Sequence, residues 1–182
     1  LGQLADQQDD LEAARGFYAS AVAAEPDNVK FLRRLARVQL RLEDPAARQT
    51  LGQWLMREPD NLDARYAMGV LKLRANEPDL ALQEFLAVVQ RAPDHVMAWN
   101  GLALAYTRLG AFQEAAEALE RAKTLEPDNP NTQSNLGLLA AYSQRWDEAR
   151  EAWRLALELN PRFVPAAHNL EALNTAAPPS SP

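Results

Sequence analysis

Lys30, Arg33, Arg34, Arg37 and Arg41 stand close together in the chain. At 100° per residue a helix gathers them into an arc of about 100°, with Phe31, Leu32, Leu35, Val38 and Leu42 on the opposite side. Five pairs within this set are three or four residues apart. Like charges at that spacing cost roughly 0.2 to 0.5 kcal/mol each, about 1 to 2.5 kcal/mol together. Two arrangements offset that cost. One is an acidic partner segment or a C-terminal carboxylate, which the planar guanidinium fork grips with two hydrogen bonds. The other is internal: Asp6, Asp9, Asp10 and Glu12 before the stripe and Asp63 after it, or plain solvation.

Other chemistry finds little material. His95 and His168 are the only histidines. Neither has a second ligand or base at a recognisable spacing, so both read as structural or surface residues. Gly-rich phosphate loops and Ser, His and Asp sets are absent from the sequence. With no cysteine, disulfides, thiolate nucleophiles and zinc-thiolate centres drop out together. Glu-Pro-Asp recurs at 25–27, 58–60 and 126–128, where proline ends one helix and aspartate caps the next. These readings predict no catalytic residues, no metal and no cofactor. A net charge of −6 and a pI near 5.0 disfavour a nucleic-acid partner, whose electrostatic footprint is basic.

The elements that carry the stripe follow from a period. Prolines recur at Pro26, Pro59, Pro93, Pro127 and Pro161, in steps of 33, 34, 34 and 34 residues. Ala, Leu, Glu and Arg dominate between them, all good helix formers, and no strand-like alternation interrupts them. The stretch after His95 carries Trp99, Leu102, Ala103, Tyr106, Leu109, Gly110, Ala115, Leu119, Ala122 and Pro127. The following one keeps Leu136, Gly137, Ala149, Trp153, Ala156 and Pro161, and the preceding one Met68, Gly69, Ala81, Phe85 and Pro93. Small residues at fixed helical positions let two backbones approach, and large ones fill the groove between them.

This pattern resembles the tetratricopeptide repeat. The resemblance implies an all-α fold, a right-handed superhelix of antiparallel helix pairs, with one array over residues 1–175. It divides into a truncated repeat 1–28, then 29–61, 62–95, 96–129 and 130–163, and a capping helix 164–175. Residues 176–182, with three prolines and nothing apolar to bury, read as a disordered tail. Leu1 and Gly2 sit where a repeat's Leu-Gly pair belongs, so the array is expected to begin mid-repeat, with any signal or anchor lying before Leu1.

Helix A of each unit lines the concave wall in this family. The resemblance therefore places Lys30, Arg33, Arg34, Arg37 and Arg41 in a groove, followed by Tyr66, Val70, Leu73 and Arg74. Met97, Asn100, Leu104, Thr107 and Arg108 come next, then Asn131, Ser134, Asn135, Leu138 and Tyr142, with Asn169 equivalent to Asn135 one unit on. Tyr66, Met97 and Leu104 are expected to form an adaptable apolar anchor, and the asparagines to bond a peptide backbone or face water. The chaperone-type carboxylate clamp is disfavoured: Arg33 and Arg37 imitate its first pair, but Ala67, Met97 and Gly101 replace the rest. The second unit departs from the family where its turn, Leu42-Glu43-Asp44-Pro45, is one residue short. Asp44 as N-cap and Pro45 at the first helical position still start a helix. Trp54, at a usually small position, is expected to pack on Ala64 or Gly69, the alternative being an exposed anchor.

The reading is a non-catalytic scaffold that docks a protein or peptide, acidic at the N-terminal end of the groove. The likeness to Ala- and Arg-rich bacterial assembly factors of the pilus-biogenesis and secretion type favours the periplasm or an outer-membrane anchor over the cytoplasm. The alternatives are a self-associating homo-oligomer and the regulatory segment of a larger enzyme. Direct membrane insertion of this segment is not expected.

Overall fold

The computed structural model describes residues 10–176. These form ten α-helices and, among the described residues, no strand. In order they are α1 (Leu11–Ala24), α2 (Val29–Arg41), α3 (Ala47–Arg57), α4 (Leu62–Arg74), α5 (Pro78–Arg91), α6 (Val96–Leu109), α7 (Phe112–Leu125), α8 (Pro130–Tyr142), α9 (Trp146–Leu159) and α10 (Val164–Ala176). Contacts between helices group the chain into two compact units, Leu1–Leu71 and Lys72–Pro182, divided within α4.

In the first unit, Ala14 and Tyr18 of α1 pack on Leu35 and Val38 of α2. A second cluster joins Leu32 and Ala36 of α2, Leu51 and Trp54 of α3, and Ala64 and Met68 of α4. Trp54 is only 4% exposed, and its indole N–H donates to Glu58 Oε2 at 2.8 Å. The exposed-anchor alternative is thereby excluded. The large ring fits because its neighbours Ala36 and Ala64 are small.

The second unit uses glycine for the same end. A Cβ placed on Gly137 would lie 2.5 Å from Trp153 Nε1, and one on Gly101 would lie 2.6 Å from the Phe85 ring. Both aromatic rings are buried, and Trp153 is fixed further by donating Nε1–H to Ser134 O at 3.0 Å. Trp153, Ala149 and Ala156 of α9 meet Ala140 of α8 and Ala166 and Leu173 of α10. The last helix thus covers the apolar face of the pair before it. It runs through Ala176, one residue beyond the expected boundary. The rest of the tail, like Leu1, Gly2, Asp6 and Asp9, lies outside the described residues.

Turns between repeats correct one expectation. Asparagine caps the helix after Glu-Pro-Asp, rather than the aspartate before it. Asn28 Oδ1 accepts from Lys30 N, Asn61 Oδ1 from Ala64 N, and Asn129 Oδ1 from Asn131 N and Thr132 N. Each of these asparagines also donates its amide to the preceding glutamate, Glu25, Glu58 or Glu126. Asp27 is left exposed and pairs with Arg57 at 2.7 Å. His95 occupies the equivalent position one repeat earlier than Asn129, and its Nδ1 accepts from Ala98 N at 3.1 Å. The histidine is a helix cap in asparagine's place.

Turns within repeats share a left-handed residue: Glu43, Asn76, Gly110 and Gln144, with φ of 54°, 58°, 77° and 59°. The residue after each donates its N–H five positions back, as from Asp44 to Gln39 O and Arg145 to Ala140 O, both at 2.8 Å. This is the Schellman closure of a helix. The short turn of the second repeat is absorbed immediately afterwards. Ala81, Ala115 and Ala149 donate to the carbonyl four residues back, whereas Ala47 donates to Asp44, three back. One tightened turn replaces the missing residue, so α3 begins at Ala47 rather than at Pro45.

Candidate functional site

The first unit contains a cleft of about 370 Å³ lined by Arg33, Arg34, Ala36, Arg37 and Leu40 of α2, Leu51 and Trp54 of α3, and Asp63 and Ala67 of α4. Helical phase explains it. Leu32, Leu35 and Val38 are buried, which turns Arg33 and Arg37 to the exposed side and leaves Arg34 half-buried between. Lys30 and Arg41 are exposed on the same helix but lie outside the cleft's lining. Of the acids expected to neutralise the stripe, Asp10 caps α1 by accepting from Ala13 N and Glu12 pairs with Arg15. Asp63 lines the cleft itself. The site therefore presents guanidinium groups, one carboxylate and an apolar floor.

Tyr66 and Val70 of α4 are half-buried. Burial pushes the Tyr66 phenol above its usual range, since desolvation disfavours the charged form.

In the second unit polar groups on the predicted face are spent internally. Asn100 is 3% exposed; its Nδ2 donates to Val96 O at 3.2 Å and to Thr132 Oγ1 at 2.9 Å. Asn135 Nδ2 in turn donates to Asn100 Oδ1 at 3.1 Å and to Asn100 O at 3.3 Å. Asn100 is thus a structural cross-link rather than an open groove contact. Leu73, Thr107 and Ser134, also expected to face inward, are buried. Met97, Arg74 and Tyr142 are exposed, and Leu104, Asn131 and Asn169 are half-buried. Arg108 is exposed overall, yet its guanidinium donates to Leu73 O at the end of α4.

Models described as tetratricopeptide repeat match residues 44–94, 66–130 and 130–163. The chain belongs to the tetratricopeptide repeat family. A relative in cattle, the BBSome complex member BBS4, is 26% identical over 90% of this chain. The chain spans 32% of that protein's length. Among solved structures, MamA of Desulfovibrio magneticus superposes with a TM-score of 0.77 at 23% identity, covering 89% of this chain and 92% of that one. YrrB, described as a tetratricopeptide protein with an unusual peptide-binding site, superposes with a TM-score of 0.71 at 20% identity, covering 93% and 88%. At such identities the structural likeness is one of fold.

The tetratricopeptide signature also accounts for donors that sequence reasoning missed. Arg65 and Trp99 occupy the fourth position of α4 and α6. Both donate a side-chain N–H to the carbonyl of the preceding repeat's proline, Pro59 or Pro93, at 2.9 Å. A planar N–H donor from either side chain thus makes the same bond in these two repeats. Arg15 was missed as well: it pairs with Asp44 at 3.1 Å across the first helix pair. No helix among the described residues is long and apolar enough to cross a membrane.

Proposed function

We propose that this chain is a non-catalytic docking scaffold holding an extended or helical segment of a partner protein against its helix-A faces, within an assembly machine of the bacterial pilus or secretion kind. The observation that carries the docking reading is the cleft in which Arg33, Arg34 and Arg37 converge over Leu40, Leu51 and Trp54. Concave sites with an apolar floor and a few placed polar groups are where proteins take ligands. The assembly role rests on the likeness to Ala- and Arg-rich bacterial assembly factors. A partner recovered from extract of the source cell by the wild-type chain, and lost from either a first-unit variant (Arg33→Glu with Arg37→Glu) or a second-unit variant (Met97→Asp), supports docking on these faces. Equal recovery by all three proteins sinks it. The identity of the recovered partner decides the pathway.

A second reading, self-association through the capping helix, draws on Val164, 73% exposed at the start of α10. Sedimentation equilibrium tests it: a concentration-independent monomer removes it.

A further inference from the structure

We infer that the first-unit cleft is selective for an acid-apolar-acid stretch of a partner protein, with Asp63 rejecting segments acidic throughout. The inference rests on the docking reading above and narrows it.

Charge comes first. Arg33, Arg34 and Arg37 line the cleft beside a single carboxylate, Asp63, on a chain whose net charge is −6. The lining is thus richer in cations than the chain as a whole. Electrostatic complementarity of that kind selects and steers a negatively charged partner, and Arg forks favour carboxylates over point-like anions. Inorganic phosphate shares the negative charge but lacks the apolar group that the other half of the lining requires, and nucleic acid spreads its charge over phosphodiesters in place of paired carboxylates. Ala36, Leu40, Leu51, Trp54 and Ala67 supply that half.

Spacing comes second. Arg33 and Arg37 are separated by one helical turn, about 6 Å along the axis. Alternate residues of an extended peptide point to one side about 6.6 Å apart. Two acidic residues flanking one other residue therefore match the two arginines, and the middle side chain is directed away from them. Arginines stand on α2 and Asp63 on α4. A middle side chain that turns toward α4 meets Ala67 and Asp63, where an apolar group is accepted and a carboxylate repelled.

The test is an NMR titration of the full chain, read at the backbone amides of α2 and at the Trp54 indole N–H. The probes are the peptides Ser-Glu-Leu-Glu-Ser, Ser-Glu-Glu-Glu-Ser and Ser-Gln-Leu-Gln-Ser, and oligothymidylate. The first peptide is expected to shift α2 and Trp54 resonances and bind several-fold more tightly than the second and third. Arg33→Gln with Arg37→Gln is expected to weaken it at least tenfold, with circular dichroism unchanged. Asp63→Asn is expected to bring the all-acidic peptide up to the affinity of the first. Absence of binding by the first peptide overturns the inference, as does equal binding to the double variant. So do an Asp63→Asn chain with unchanged preference and oligothymidylate binding as tightly as the peptide. A self-dimer broken by the arginine substitutions makes a second copy the occupant and likewise overturns it. Failure here with a partner still captured from extract and lost from Met97→Asp leaves the docking reading standing; failure of both removes it too.

Discussion

Arg33 and Asn100 are each the fifth residue of their helix, α2 and α6, and each stands at a position where the repeat turns its side chain toward the neighbouring helix A. Arg33 is exposed in the lining of a cleft. Asn100 is buried and bonded to Thr132 and Asn135 of α8. The same register thus lines an open cleft in one unit and makes an internal tie in the other. What differs is the facing residue. Thr132 and Asn135 are short hydrogen-bonding groups that complete a buried amide. Around Arg33 the lining is Ala67, Leu40 and Asp63, of which only Asp63 can accept a hydrogen bond from its side chain.

The largest expected effect tests the tie. Asn100→Ala leaves Asn135 Nδ2 without its side-chain acceptor and Thr132 without its donor. An unsatisfied buried polar group costs about 1 to 3 kcal/mol, so urea unfolding should show a loss near 2 kcal/mol. Asn135→Ala alone should cost less, because Asn100 keeps Thr132 and Val96. A loss under about 0.5 kcal/mol for Asn100→Ala would break the contrast between the two units.

Next come the left-handed turns, where the units can be compared through backbone conformation. An L-residue other than Gly, Asn or Asp pays roughly 1 to 2 kcal/mol in that conformation. Gln144→Gly should raise stability by about 1 kcal/mol, Glu43→Gly by less because its side-chain interaction is lost with it, and Asn76→Gly by less, since Asn tolerates the region. Gly110→Ala should lose about 1 kcal/mol. Thermal or urea melts of the four variants give the order directly.

These turns also mark what a sequence can disclose. The repeat period, the helix pairs and the close approach at Gly137 were legible, because proline spacing and small residues record backbone geometry directly. The left-handed residues were legible only at Gly110. Glu43 and Gln144 adopt the conformation because the Schellman closure demands it, not because their type prefers it. Asparagine capping was misassigned to aspartate, since either side chain can accept the same N–H bond and only geometry shows which does. Burial of Asn100 depends on Thr132, a residue 32 positions away, and no helical wheel contains that information. The arginine stripe was legible because it lies on a single helix. Its cleft needed Leu51 and Trp54 from α3 and Asp63 from α4 to become visible.

The stripe itself should respond with the opposite sign. Arg33 lies three residues from Lys30 and four from Arg37, so Arg33→Gln removes two like-charge pairs. At about 0.2 to 0.5 kcal/mol each, stability should rise by roughly 0.4 to 1 kcal/mol at low salt. That gain should shrink as ionic strength approaches 1 M, where screening acts within about 3 Å. A destabilisation would mean that Arg33 is held internally like Asn100, and the two units would then differ in nothing but residue type.

The smallest effect concerns acid. Asp44 sits in the shortened turn of the first unit, where its Oδ1 accepts from Ala46 N at 2.9 Å and its Oδ2 from Arg15 at 3.1 Å. The backbone bond chiefly, and then Arg15, hold its carboxyl below the ordinary value of 3.8 against the opposing effect of burial. A depressed native pKa contributes stability that is full above the unfolded value and is lost as pH falls through the folded one. The contribution should thus be constant at neutral pH and decline below about 3.8. The equivalent positions in the second unit, Glu77, Ala111 and Arg145, make no side-chain cap to their helices, so this loss belongs to the first unit. Asp44→Asn keeps an acceptor for Ala46 but removes the charge. The stability difference between it and the wild type, followed by urea melts from pH 6 downward, should narrow only below pH 3.8. A difference that narrows well above that value would show that the carboxyl is not stabilised in its charged form, and that the short turn is held by its backbone alone.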